Sequence, residues 1–169
     1  MGDVFKEQLV KRKPTFRDTV LKVCLGILAA IIGLSSFVFL GHFGMLVVFG
    51  LVFGVKYLVG FLNVEYEYIF TNGELDIDII YDQSRRKRVF TAQAKQFEIM
   101  AHIDDKNHEG TFNSAQETRD YSSGVVNDNT YAFLTTHNGK RVKVIIEPNE
   151  KMMKAISTIL TRRKLFIKQ

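Results

Sequence analysis

Polar and apolar positions divide this chain into three stretches. From Val23 to Val55 there is no Asp, Glu, Lys or Arg. A helix rises about 1.5 Å per residue, so a hydrocarbon core of about 30 Å needs roughly 20 apolar residues. Val23–Leu40 and Met45–Leu62 each approach that length, and Gly41-His42-Phe43-Gly44 lies between them. The pattern predicts two membrane helices in a hairpin over residues 23–62. Lys56, about two turns from the end of the second span, is expected to run its stem along the helix and place its ammonium at the interface.

After Leu62 the apolar period shortens from 3.6 to 2. Val64, Tyr66, Tyr68 and Phe70 alternate with Glu65, Glu67 and Ile69. Asn72-Gly73, a pair suited to the positive φ angles of a tight turn, follows. Leu75, Ile77, Ile79 and Tyr81 then alternate with Glu74, Asp76 and Asp78. Further strands are predicted over Arg86–Thr91 and Gln96–Ala101. A second hairpin is predicted from Tyr131–Thr136 and Arg141–Glu147 around Asn138-Gly139. Between them, residues 102–129 form a long polar loop, with a poor strand near Thr111–Thr118. Asp120-Tyr121-Ser122-Ser123-Gly124 is its most ordered phrase, a turn with Tyr121 as anchor. Last, Asn149 caps a helix whose Met152, Met153, Ile156, Ile159 and Leu160 form one apolar stripe. Lys151, Lys154, Ser157, Thr158, Thr161 and Arg162 fall on the other face.

Before the apolar stretch, Val4, Phe5, Leu9 and Val10 would line one face of a short surface helix within Met1–Arg12. Pro14 interrupts it, and Thr15 or Asp18 would cap the next helix. Residues 1–22 thus read as a basic tail, 23–62 as the hairpin and 63–169 as a domain of its own.

Charge orients this arrangement. The chain has 169 residues and a net charge of +5. Lys6, Lys11, Arg12, Lys13, Arg17 and Lys22 precede the first span, and the turn at Gly41–Gly44 holds no Lys or Arg. The positive side stays inside, so both termini are expected in the cytoplasm of a multi-pass cell-membrane protein. From Asn63 onward the sequence is nearly neutral, with sixteen basic and fifteen acidic residues, which argues against a nucleic-acid partner. Cys24 is the one cysteine, so no intrachain disulfide is available.

The candidate chemistry is sparse. Lys11, Arg12, Lys13 and Arg17, with the run Arg85-Arg86-Lys87-Arg88, are candidate contacts to anionic lipid headgroups. His102, Asp104, Asp105 and His108 are metal-ligand residue types in a spacing that fits no metal site, so neither metal nor cofactor is expected. No G-x-S-x-G phrase, phosphate-cradling loop or dinucleotide fingerprint is present, and no catalytic residue is assigned. Small residues four apart, Ala29/Gly33 and Gly50/Gly54, suit close helix approach, within one hairpin or in a homodimer through Gly50 and Gly54.

Four antiparallel strands, a long loop, a hairpin and a closing helix resemble a pleckstrin-homology-like domain. That fold has about seven strands and a C-terminal helix. Six strands are legible here, and the loop is where a seventh would be sought. The stretches EYEYIFTNGELDID (Glu65–Asp78) and IIEPNEKM (Ile145–Met152) resemble an uncharacterised family of short two-helix membrane proteins from Gram-positive anaerobes. The resemblance implies an α+β membrane protein: a transmembrane hairpin, then an antiparallel pleckstrin-homology-like domain closed by an amphipathic helix. The expected role is non-catalytic binding of a protein partner or the anionic membrane surface. The alternative is a membrane-bound enzyme or transporter accessory subunit with a site in residues 102–129.

Overall fold

A computed structural model describes residues 5–160 and 165–166. Val4, Thr161, Arg162 and Gln169, which the sequence reading invoked, lie outside them. The chain forms two compact units. One is built from Pro14–Val64 and Tyr81–Ser84. The other is built from the described residues of Met1–Lys13, Glu65–Ile80 and Arg85–Gln169.

The first unit is helical. Helix α1 (Phe16–Leu40) starts seven residues before the charge-free stretch, because Thr15 and Asp18 cap it reciprocally. Asp18 N donates to Thr15 Oγ1 at 3.3 Å, and Thr15 N donates to Asp18 Oδ2 at 2.8 Å. A 3-10 turn at Gly41–Phe43 leads into α2 (Gly44–Gly60). By length and composition, Phe16–Gly60 is a single candidate membrane-spanning stretch of 45 residues. Its large apolar side chains, among them Ile31, Leu34, Val38, Leu46, Phe49 and Phe53, are exposed, the reverse of a soluble core.

Gly33 lies where an added Cβ would sit 3.4 Å from Val48. Along one straight helix those residues would be about 22 Å apart. The chain therefore reverses, and α1 and α2 lie side by side. Ser36 Oγ donates to Gly33 O at 2.6 Å and reaches Gly44 O at 3.2 Å. Any Cβ at Gly44 would fall within 2.8 Å of the Ser36 backbone. At the other end Lys22 Nζ donates to Asn63 Oδ1 at 3.2 Å, and Asp82 N donates to Asn63 O at 2.9 Å. A Cβ added at Gly50 or Gly54 would meet nothing within 4 Å beyond its own helical turns, so the chain's own helix contact uses Gly33 and Gly44 instead.

The second unit contains two sheets. The first has the order β1 (Phe5–Lys11), β2 (Val64–Thr71), β3 (Glu74–Tyr81), β4 (Arg85–Gln93). The second contains β5 (Ile99–His102), β6 (Glu117–Asp120), β7 (Tyr131–His137), β8 (Lys140–Ile146) and β9 (Leu165–Phe166), in the order β6-β8-β7-β5-β9. Tyr66, Tyr68, Phe70, Leu75, Ile77 and Phe90 fill the core from the first sheet. Met100, Phe133, Val142, Val144 and Ile146 fill it from the second, and the rings of Phe97 and Phe133 stack at 3.9 Å. Asn72 and Gly73 have φ of 50° and 96°, and Asn138 and Gly139 have 51° and 76°, as the two tight turns require.

Helix α4 (Glu150–Ile159) closes the unit. Asn149 Oδ1 accepts from Met152 N at 2.8 Å, and Met152, Ala155, Ile156 and Leu160 are buried. Met153 and Ile159, expected on the same stripe, are only half-buried.

Three expectations are corrected. The surface helix expected within Met1–Arg12 is the strand β1, antiparallel to β2 from Phe5 opposite Thr71 to Lys11 opposite Glu65. Its partner lies more than fifty residues away, so nothing local announces it. Gln8 ties it to the closing helix: its Nε2 donates to Glu147 O at 2.7 Å, and Asn149 N donates to its Oε1 at 2.7 Å. The domain is therefore not residues 63–169 alone; its first strand precedes the helices, and the apolar stretch is an insertion between β1 and β2. The poor strand expected near 111–118 is a short helix, α3 (Glu109–Asn113), followed by β6, which runs parallel to β8. Phe112 of α3 covers Ile99, Ala101, Ala132 and Leu134, which explains why β5 is buried on both faces. The strand expected over Gln96–Ala101 begins only at Ile99, after a 3-10 turn at Ala94–Gln96.

Candidate functional site

The run Arg85–Arg88 opens β4, and the acidic face legible on β3 meets it. Arg86 Nη2 pairs with Glu67 Oε1 at 2.6 Å. Arg88 reaches Asp76 at 2.8 Å through Nη1 and Asp78 at 2.8 Å through Nε. Asp78 and the hydrogen bond to it hold the Arg88 guanidinium above its usual pKa. Thr91 Oγ1 also donates to Asp76, at 2.6 Å. All four residues of the run are exposed, and Arg86 and Arg88 are also engaged with carboxylates.

Glu67 is buried on that face, and its Oε2 has no hydrogen-bond partner among the described residues. Burial first, then the neighbouring Glu7 carboxyl, raise its pKa; Arg86 opposes them. The strand pairing that brings Glu7 alongside was absent from the sequence reading, so this acidic pair went unnoticed.

The other basic candidates cluster where the chain leaves β1. Lys11 and Lys13 are exposed and Arg12 is half-buried; Arg17 is exposed in the first turn of α1. Lys13 N donates to Ser123 O at 2.8 Å, which fixes this exit against the loop that precedes β7.

That loop is bonded along much of its length. Tyr68 OH donates to Tyr121 O at 2.6 Å and accepts from Glu147 N at 3.2 Å. Burial holds the Tyr68 hydroxyl protonated far above its usual range. Tyr121 anchors the loop, its ring 5.5 Å from Tyr66 and 5.9 Å from Phe90. Asp120 Oδ1 accepts from Ser122 N at 2.9 Å and from Ser122 Oγ at 2.6 Å. Glu147 Oε1 accepts from Ser123 N at 3.1 Å and Ser123 Oγ at 2.8 Å. Thr130 Oγ1 accepts from Asn127 N at 2.9 Å. Tyr68 and Glu147 were read only as strand residues; a buried tyrosine's need for a polar partner was the available signal.

The histidines and aspartates of the loop serve its own folding. Asp104 N donates to His102 Nδ1 at 3.2 Å, so the proton sits on Nε2 and is donated to Asn127 O at 3.1 Å. His108 Nδ1 lies 2.9 Å from Asp105 Oδ2, an interaction that holds Asp105 below its usual pKa. Among the described residues no group of three or more His, Cys, Asp or Glu is arranged to hold a metal ion. An open hollow of about 400 Å³ nearby is lined by Ile103, Asp104, Asp105, Lys106, Glu109 and Lys143.

Setting aside the short strands β6 and β9, seven strands remain in two sheets, followed by a closing C-terminal helix. This is the plan of a pleckstrin-homology-like domain, a class that is generally non-catalytic. Two strands join the six legible in the sequence: β1, ahead of the helices, and the short β6, within the loop where a further strand was sought. The chain belongs to the family described as a bacterial PH-like domain (DUF6106), which it matches over residues 2–167. Nothing among the curated proteins or the solved structures matches it.

Proposed function

We propose that this protein is a membrane-anchored, non-catalytic recognition module. Phe16–Gly60 crosses the cell membrane twice, both termini are cytoplasmic, and the PH-like domain binds a protein partner or the anionic membrane surface. One observation carries the reading: β1 and β2 lie on either side of the apolar stretch, yet they pair along seven residues. Two strands of one sheet occupy one side of a bilayer, so the stretch between them crosses an even number of times. Its 45 residues span about 68 Å as helix, enough for two crossings of about 30 Å each. The basic residues before α1 put the sheets on the cytoplasmic side.

The catalytic alternative in residues 102–129 has little to stand on. Within it Ser122 is bonded to Asp120, and Ser123 is bonded to Glu147 outside it. Topology is the direct test. A reporter active only outside the cytoplasm should be silent after Gln169 and active when inserted at His42. Activity at Gln169, or silence at both positions, would refute the two-crossing arrangement.

A further inference from the structure

The loop between β6 and β7 exposes its apolar residues and spends its polar ones. Val125 and Val126 are 46% and 55% exposed at its tip. Around them, Gly124 N donates to Ser122 Oγ at 3.1 Å, and Asn127 Nδ2 donates to Val125 O at 3.3 Å. Ser123 Oγ lies 3.4 Å from both Val125 N and Val125 O. Asn129 N donates to Asn127 Oδ1 at 2.8 Å. Gly124, at φ 82°, takes the one sharp backbone reversal. The tip is held rigid from within and presents two adjacent valines outward.

Exposed valines alone carry little meaning. The tether gives these a location. Ser123 O is bonded to Lys13 N, and Phe16, where α1 begins, is three residues on, at most about 11 Å of extended chain. From Phe16 to Lys22, the last charge before the apolar stretch, α1 rises about 9 Å, the scale of a headgroup layer. Exposed Lys11, Lys13 and Arg17 bracket the tether.

We propose that Val125-Val126 is a membrane-docking tip, seated among the headgroups of the leaflet that α1 enters, with Lys11, Lys13 and Arg17 against lipid phosphates. The occupant is the bilayer itself. The inference rests on the membrane reading above and adds to it a second attachment.

The chain has no tryptophan, so a substituted one reports alone. Full-length protein carrying Val126→Trp is reconstituted in phosphatidylcholine–phosphatidylglycerol liposomes, with lipids brominated near the headgroup end of the acyl chain. Lys140→Trp is the control: it is exposed and lies at the other end of the β7–β8 hairpin, about 23 Å along the strand. Blue-shifted Val126→Trp emission, quenched several-fold more than that of Lys140→Trp, is expected. Because tryptophan itself favours the interface, Val125→Asp is added to Val126→Trp and should reduce the quenching at least twofold. Equal, solvent-like emission from both single variants in protein that floats with the liposomes would overturn the tip and leave the membrane anchor standing. So would quenching that Val125→Asp does not change, and so would a tip that a protein partner shields but lipid bromine does not reach. Protein that fails to float would overturn the anchor as well.

Discussion

Glu67 buries a carboxylate where β2 meets the basic run of β4. The acidic alternation on β3 and the basic run on β4 were both legible. Their mutual pairing was not, because it depends on how the strands pair in the sheet. Glu67 Oε1 takes Arg86, while Oε2 is buried with no hydrogen-bond partner among the described residues. Its pKa is raised above the ordinary 4.5. In the window above that value the folded state therefore binds more proton than the unfolded state, and stability falls as pH rises. The favourable contribution is complete below about pH 4.5 and is lost through the folded pKa. Asp105 and Glu117, whose values are lowered, act in the opposite sense. Comparison with Glu67→Gln, which mimics the neutral carboxyl, cancels them. The melting temperature of Glu67→Gln should rise relative to wild type as pH goes from about 4 to 8, reflecting the removed burial of charge. A difference that stays constant, or that moves in favour of wild type, would show that Arg86 fully offsets the burial.

Elements with a strong internal period were the most legible. α4 shows its stripe at helical spacing and its cap one residue before the first turn. Ile156 is fully buried and Thr158 is exposed on the same helix. Ile156→Ala should cost about 2–5 kcal/mol, and Thr158→Ala about 0.5 kcal/mol or less. Thermal unfolding of the purified protein distinguishes them; equal costs would mean that α4 does not dock by this face. The small residues of the apolar stretch were less legible, since Gly33, Gly44, Gly50 and Gly54 look alike in a string of apolar letters. Only geometry separates them: Gly44 abuts the Ser36 backbone, and Gly50 faces open space. Gly44→Ala should therefore destabilise the helix pair by about 1–3 kcal/mol, the range of an overpacked contact. Gly50→Ala should be neutral or slightly stabilising, as alanine favours helix. Melting curves in one detergent test the contrast, and an equal loss at both sites would place Gly50 in a contact outside the single chain.

At the scale of the whole molecule the sequence order and the domain order disagree. The strands after Asn63 read as one self-contained domain, because two of the hairpins carry their own Asn-Gly turn, at Asn72-Gly73 and Asn138-Gly139. The first strand could not be read that way. Of its seven residues only Val10 is buried, and its partner stands beyond the entire apolar insertion. Without β1 the edge of β2 is unpaired, and the Gln8 bonds to Glu147 and Asn149 are gone. An unpaired edge beside an apolar face favours intermolecular pairing. Residues 63–169 alone should therefore aggregate or unfold without cooperativity. Lys11 pairs with Glu65, so the ends left by removing residues 14–62 lie close enough for a short glycine-rich linker to join them as an ordinary hairpin. That shortened chain should be soluble and monomeric, with a single cooperative transition by circular dichroism. The comparison is decisive because both proteins lack the apolar stretch and differ only in β1 and the linker. Equal melting temperatures would mean that β1 is dispensable, and the pairing that supports an even number of membrane crossings would lose its weight.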